Sequence, residues 1–91
     1  MPRYMVERSF PQGLSIPMND EGRKAVEGVV SNNAHLGVTW VHSYVKDDRS
    51  QSFCIYDGPS PEAIRRAAER NGLPVSRITA VTVLTPYFYQ V

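Results

Sequence analysis

The most constraining stretch of the chain is Ser60–Pro74, because it specifies a complete helix with both ends marked. Ser60 is a natural N-cap, Pro61 suits the first helical position, and Glu62 favours the positive end of the helix dipole. Ile64, Ala67 and Ala68 form one apolar stripe at helical spacing. Gly72 can take the left-handed conformation that closes a helix, Leu73 can fold back on Ala68, and Pro74 prevents continuation. On both sides of this helix the pattern changes to strand. Val38–Lys46 is dense in β-branched and aromatic residues, and Gln51–Tyr56 follows it after the polar turn Asp47-Asp-Arg-Ser50. So short a connection implies an antiparallel hairpin. Downstream, Ile78–Thr85 reads as a strand that Pro86 ends.

The N-terminal third supplies the matching half. Arg3–Phe10 alternates in a β-compatible way, with Tyr4, Val6 and Arg8 on one side and Met5, Glu7 and Ser9 on the other. Pro11-Gln-Gly13 stops it, and Ser15–Met18, with Pro17, forms an irregular approach to a helix capped by Asn19 or Asp20. Ala25, Val26, Val29 and Val30 give that helix its apolar stripe, and Gly37 ends it. The order is β-α-β-β-α-β, the ferredoxin-like split βαβ arrangement of the α+β class. It predicts a four-stranded antiparallel sheet with two helices on one face, placed there by right-handed crossovers. The other face is left for solvent, a ligand or a second subunit.

With 91 residues, the chain is expected to form a single domain over 1–91. A chain of this size buries only ~60–65% of its unfolded surface, so an uncovered sheet face is a motive to dimerise. Ten Lys plus Arg against nine Asp plus Glu provide no field for nucleic acid or an anionic membrane. The single cysteine, Cys54, excludes an internal disulfide and suits a reducing cytoplasm. No apolar run approaches a membrane span, and Met1-Pro-Arg-Tyr4 lacks signal-peptide architecture. The expected location is cytoplasmic.

Functional residues are sought on the uncovered face. A three-residue loop at 48–50 sets Val45 opposite Phe53, Tyr44 opposite Cys54 and His42 opposite Tyr56. That register collects Val41, Val45, Phe53 and Ile55 beneath the helices. A four-residue loop pairs Tyr44 with Phe53 and scatters the polar groups, so the burial pattern favours the first. The open face then carries Trp40, His42, Tyr44, Cys54 and Tyr56, joined by Met5 and Glu7 from the first strand. Glu7, His42 and Cys54 are thus expected to converge from three neighbouring strands. Carboxylate, imidazole and thiol together suit nickel, zinc, copper or cobalt. Taken singly, Cys54 reads as a small buried hydrophobe, His42 as a structural hydrogen-bonding residue, and Glu7 as a solvated charge. Only their convergence makes a metal site. His35 fits better as a cation at a helix C-terminus.

Several segments resemble a small bacterial family long catalogued as a domain of unknown function. They are Pro2-Arg-Tyr-Met-Val-Glu-Arg8 with Phe10-Pro11, Gly37-Val-Thr-Trp-Val-His-Ser-Tyr-Val45, and Phe53-Cys-Ile-Tyr56. Pro59-Ser-Pro-Glu-Ala-Ile64, Asn71-Gly-Leu-Pro74 and Arg77-Ile-Thr79 complete the likeness. That family includes nickel-binding proteins of ferredoxin-like fold that form homodimers, so the resemblance implies this fold, a dimer and nickel(II). The resulting expectation is a non-enzymatic transition-metal-binding homodimer, for sequestration or sensing, joined through the open face and the aromatic tail Tyr87-Phe-Tyr89. The alternative is a dimeric α+β barrel enzyme acting on a small aromatic substrate, with His42 as acid/base. No nucleophile–base–orienter set and no phosphate loop such as GxxxxGK is present. A pure interaction module is a third reading. RNA binding is the weakest, because the RNA-recognition signature and basic surroundings are absent.

Overall fold

A computed structural model describes residues 2–16 and 18–89. Pro17, in the approach to the first helix, lies outside the described residues, as do the side chains of Phe88 and Tyr89 in the aromatic tail. The elements run β1 (Arg3–Ser9), α1 (Asp20–Ala34), β2 (Thr39–Val45), β3 (Gln51–Asp57), α2 (Pro61–Asn71) and β4 (Arg77–Val81), followed by a 3₁₀ turn at Pro86–Tyr89. The strands form one antiparallel sheet in the order β2-β3-β1-β4, and both helices cover the same face. This is the α+β ferredoxin-like fold that the element order predicts.

The helix punctuation explains why α2 forms where it does. The Ser60 Oγ accepts from the Ala63 N–H at 3.2 Å, and Gly72 has φ +66°. The Leu73 N–H donates to the Ala68 carbonyl at 2.9 Å and the Gly72 N–H to that of Glu69 at 3.1 Å, a Schellman closure. Ala63, Ile64, Ala67 and Ala68 are buried against Tyr4, Val6, Val38, Cys54 and Tyr56. The helix α1 is capped by Asn19, whose side chain accepts from the Gly22 N–H at 3.1 Å. Its packing differs from the stripe that the sequence predicts. Val26 and Val29 are only half-buried, Ala25 and Val30 are exposed, and the buried positions are Gly22 and Asn33. At its C-terminal end Asn71 ties α1 to α2, donating to Asn33 Oδ1 at 3.1 Å and accepting from Asn32 at 2.7 Å.

Strand β4 ends at Val81, short of the predicted Thr85, because its partner β1 ends there: Val81 faces Arg3, and Pro2 has no N–H to extend the ladder. The β2–β3 hairpin departs from the predicted register. Tyr44 lies opposite Phe53, Ser43 opposite Cys54 and Val45 opposite Ser52. Lys46 closes a four-residue loop by donating to the Gln51 carbonyl at 3.0 Å, inside which the Arg49 N–H reaches the Lys46 carbonyl at 2.8 Å. Arg49 takes φ +65°, and the Asp48 carboxylate accepts from both the N–H and the hydroxyl of Ser50, at 2.9 and 2.6 Å. A second irregularity lies higher in β2. The register shifts between Trp40, opposite Tyr56, and His42, opposite Ile55, which leaves Val41 as an extra residue. The bulge breaks the alternation, so Trp40 turns toward the helices while His42 and Tyr44 turn away.

Candidate functional site

Because directly opposed residues share a face, the pairings sort the sheet without ambiguity. The helix side receives Tyr4, Val6 and Arg8 from β1, Ser52, Cys54 and Tyr56 from β3, and Trp40, Ser43 and Val45 from β2. The open side receives Met5 and Glu7, Phe53 and Ile55, and His42 and Tyr44, with Thr79 and Arg77 from β4. Glu7, Met5, His42 and Tyr44 lie on the open face as expected, whereas Cys54, Tyr56 and Trp40 change places with Phe53 and Ile55. The covered face holds an arginine, two serines, a thiol and two buried phenols beside Val6 and Val45, whereas the uncovered face has Met5, Phe53 and Ile55 at its centre.

The expected trio does not assemble. Glu7 and His42 do share the open face, but Cys54 points to the other side, buried with its Sγ 3.5 Å from Ser52 Oγ. Nor are Glu7 and His42 neighbours. Glu7 aligns with Phe53 and Tyr44, His42 with Ile55 and Met5. They are two strands apart, roughly 10 Å, and displaced along the strand as well. Among the described residues, no three His, Cys, Asp or Glu side chains stand close enough to hold a metal ion. The hairpin accounts for the difference: its four-residue loop and the Val41 bulge each reverse part of the predicted facing. His42 instead meets the Tyr44 ring edge-on, with centroids 5.1 Å apart.

The helix side contains what the sequence reading missed. Between α1 and the sheet lies a cavity of about 510 Å³, with Arg8, Trp40, Cys54 and Tyr56 in its sheet wall and Val26 and Val29 in its helical wall. His42 does not line it, so this cavity is not the pocket in which His42 was expected to act as acid/base. Arg8 is 3% exposed. Its Nη1 donates to the Pro74 carbonyl at 2.7 Å and its Nη2 to the Tyr56 hydroxyl at 3.1 Å, with Cζ 5.8 Å from the Tyr56 ring centroid. Its Nε is buried without a hydrogen-bond partner. No carboxylate among the described residues pairs with it. Burying a guanidinium without a counter-charge costs on the order of several kcal/mol. Burial pushes the Tyr56 phenol above its ordinary range, and the Arg8 charge pulls against that rise. Trp40 completes this wall, its Nε1–H donating to Ser43 Oγ at 2.9 Å, a contact the bulge makes available. The sequence does carry a signal for this site, since Arg8 falls in phase with Tyr4 and Val6 on the inward side of β1.

Fold and faces together define a ferredoxin-like α+β protein with an uncovered, partly apolar sheet face and a cationic cavity beneath its first helix. Over residues 4–81 the sequence matches the family model described as "Nickel responsive protein SCO4226-like", and the chain belongs to that family. Among solved structures it is similar to SCO4226 from Streptomyces coelicolor A3(2), with a TM-score of 0.73 at 20% identity over 91% of this chain and 99% of that one. At that identity the likeness speaks to the fold. No curated protein matches the sequence. Among the described residues of one copy, the two open-face donors Glu7 and His42 stand apart and the Cys54 thiol is behind the sheet.

Proposed function

We propose that the protein is a non-enzymatic nickel-binding protein, serving sequestration or sensing, that acts as a homodimer through its open sheet face. The observation that carries this reading is an exposed imidazole, His42, on a sheet face whose centre is apolar and uncovered. Such a face is stabilised by burial against a second copy. Two-fold pairing of open faces brings two His42 and two Glu7 side chains into one interface, which supplies the donor number that one chain lacks. Imidazole and carboxylate are acceptable nickel ligands, and Cys54 takes no part in this site. Membership of the nickel-responsive family supports the choice of metal.

Calorimetric titration of protein purified without a metal-affinity tag tests the reading. Wild type is expected to take up Ni(II) in a simple ratio to chains. His42→Ala and Glu7→Gln are each expected to weaken uptake by about tenfold or more, and Cys54→Ser to leave it unchanged. If wild type takes up no nickel, the function is wrong. If both open-face variants bind as wild type does, the donor assignment is wrong.

A further inference from the structure

The cavity beneath α1 is independent of the open face and carries a separate inference. Its volume, about 510 Å³, falls within the ~300–1,000 Å³ typical of small-molecule sites. Three charged residues line it, Arg8, Lys24 and Arg70, and all are cationic, although the chain contains nine Asp plus Glu. Lys24 and Arg70 are exposed at its rim, where water screens them. Arg8 is different. It is 3% exposed, two of its nitrogens bond neutral acceptors, and its buried Nε bonds nothing. Phe10, Leu14, Val26, Val29 and Leu73 supply an apolar lining around it.

We propose that this cavity binds a small amphipathic monoanion, an alkyl or aryl carboxylate, with its carboxylate on Arg8 and its hydrocarbon body between α1 and the sheet. One buried guanidinium calls for one negative charge, and its planar donors match the geometry of a carboxylate. The apolar lining calls for a ligand with a hydrocarbon body rather than a bare inorganic anion. Because α1 buries only Gly22 and Asn33, Val26 and Val29 stand half-buried above the cavity and gain cover from such a body.

NMR titration of the metal-free protein with octanoate and with its uncharged analogue octanamide tests this. The reporter is the Trp40 indole N–H, which lies in the cavity wall. Octanoate is expected to shift that resonance saturably and to bind about tenfold more tightly than octanamide, the scale of a charge-assisted hydrogen bond. Arg8→Met is expected to abolish the preference. Val29→Trp, which narrows the cavity between α1 and the sheet and leaves Arg8 in place, is expected to weaken binding of both. An indole resonance that octanoate leaves unmoved, equal binding of the two probes, or wild-type binding by folded Val29→Trp would each overturn the proposal. Should Arg8→Met fail to fold, the probe comparison and Val29→Trp still decide it. None of these outcomes depends on nickel, since the open face is not involved.

Discussion

At the scale of single residues, the sheet's best-defined polar contact is the fork between Arg3 and Asp57, which face each other at the end of the β1–β3 ladder. Arg3 Nε donates to Oδ1 at 2.7 Å and Nη2 to Oδ2 at 3.0 Å. The hydrogen bond from Arg3 holds the Asp57 carboxyl below the usual carboxylate range. A depressed native value means that the unfolded chain binds the proton first as pH falls. The stabilisation is therefore fully present above about pH 4, and is lost as pH drops through the native value. Asp57→Asn is expected to be less stable than wild type at pH 7 and to show a flatter acid limb. Urea midpoints between neutral pH and pH 3 measure both, and an acid limb as steep as that of wild type would remove Asp57 from the account. Asp48, held low chiefly by the Ser50 hydroxyl, contributes with the same sign, so some acid dependence remains in the variant. Arg8 makes the contrasting point. Its phase with Tyr4 and Val6 was legible as a pattern, but an arginine at the end of a strand usually reaches solvent, and only the packing of Pro74 and Tyr56 around it shows that it does not.

At the scale of elements, α2 packs through four buried residues, whereas α1 buries only Gly22 and Asn33 and is tied to α2 near its C-terminal end. Asn71 is the fastening, since its amide serves Asn32 and Asn33 together and Asn33 is 1% exposed. Asn71→Ala strands the buried Asn33 Oδ1 and is expected to cost about 1–3 kcal/mol. Thermal or urea denaturation measures it, and a change below about 0.5 kcal/mol, the scatter of ordinary surface substitutions, would mean that the tie is idle. Element identity was legible because caps are local: Asn19, Ser60 and Gly72 each act within one helical turn. Register was not. It hangs on Val41 slipping out of the ladder and on Arg49 adopting a left-handed backbone, neither of which residue type announces. The preference for an apolar set beneath the helices pointed the wrong way for β3, because the inner face holds both a core under α2 and a cavity under α1 that is lined by Arg8, Ser43 and Ser52. Glu7 and His42 were placed on the correct face, and Cys54 was not, since a one-residue slip moves a whole strand to the other side.

At the scale of the whole molecule, the sheet leaves Met5, Phe53 and Ile55 partly uncovered at the centre of its open face, with Glu7, His42, Thr79 and Arg77 around them. A dimer closed through that face predicts that Phe53→Lys yields a folded monomer, because Phe53 makes no part of the helix-side core. Sedimentation equilibrium with a circular-dichroism check of the fold reads the outcome, and a variant that still dimerises would place the interface elsewhere. Among the described residues no helix is long and apolar enough to cross a membrane.

Glu7 and Arg8 are consecutive residues on one central strand, yet one looks into the open face and the other into the cavity. The sheet is thus a partition only one backbone thick. A ligand that pulls on the guanidinium pulls on the same peptide unit that carries the carboxylate, whose carbonyl also accepts from the Ser76 N–H at 2.8 Å. Should occupancy on one side change affinity on the other, thermodynamic reciprocity requires the reverse influence to be equal in size.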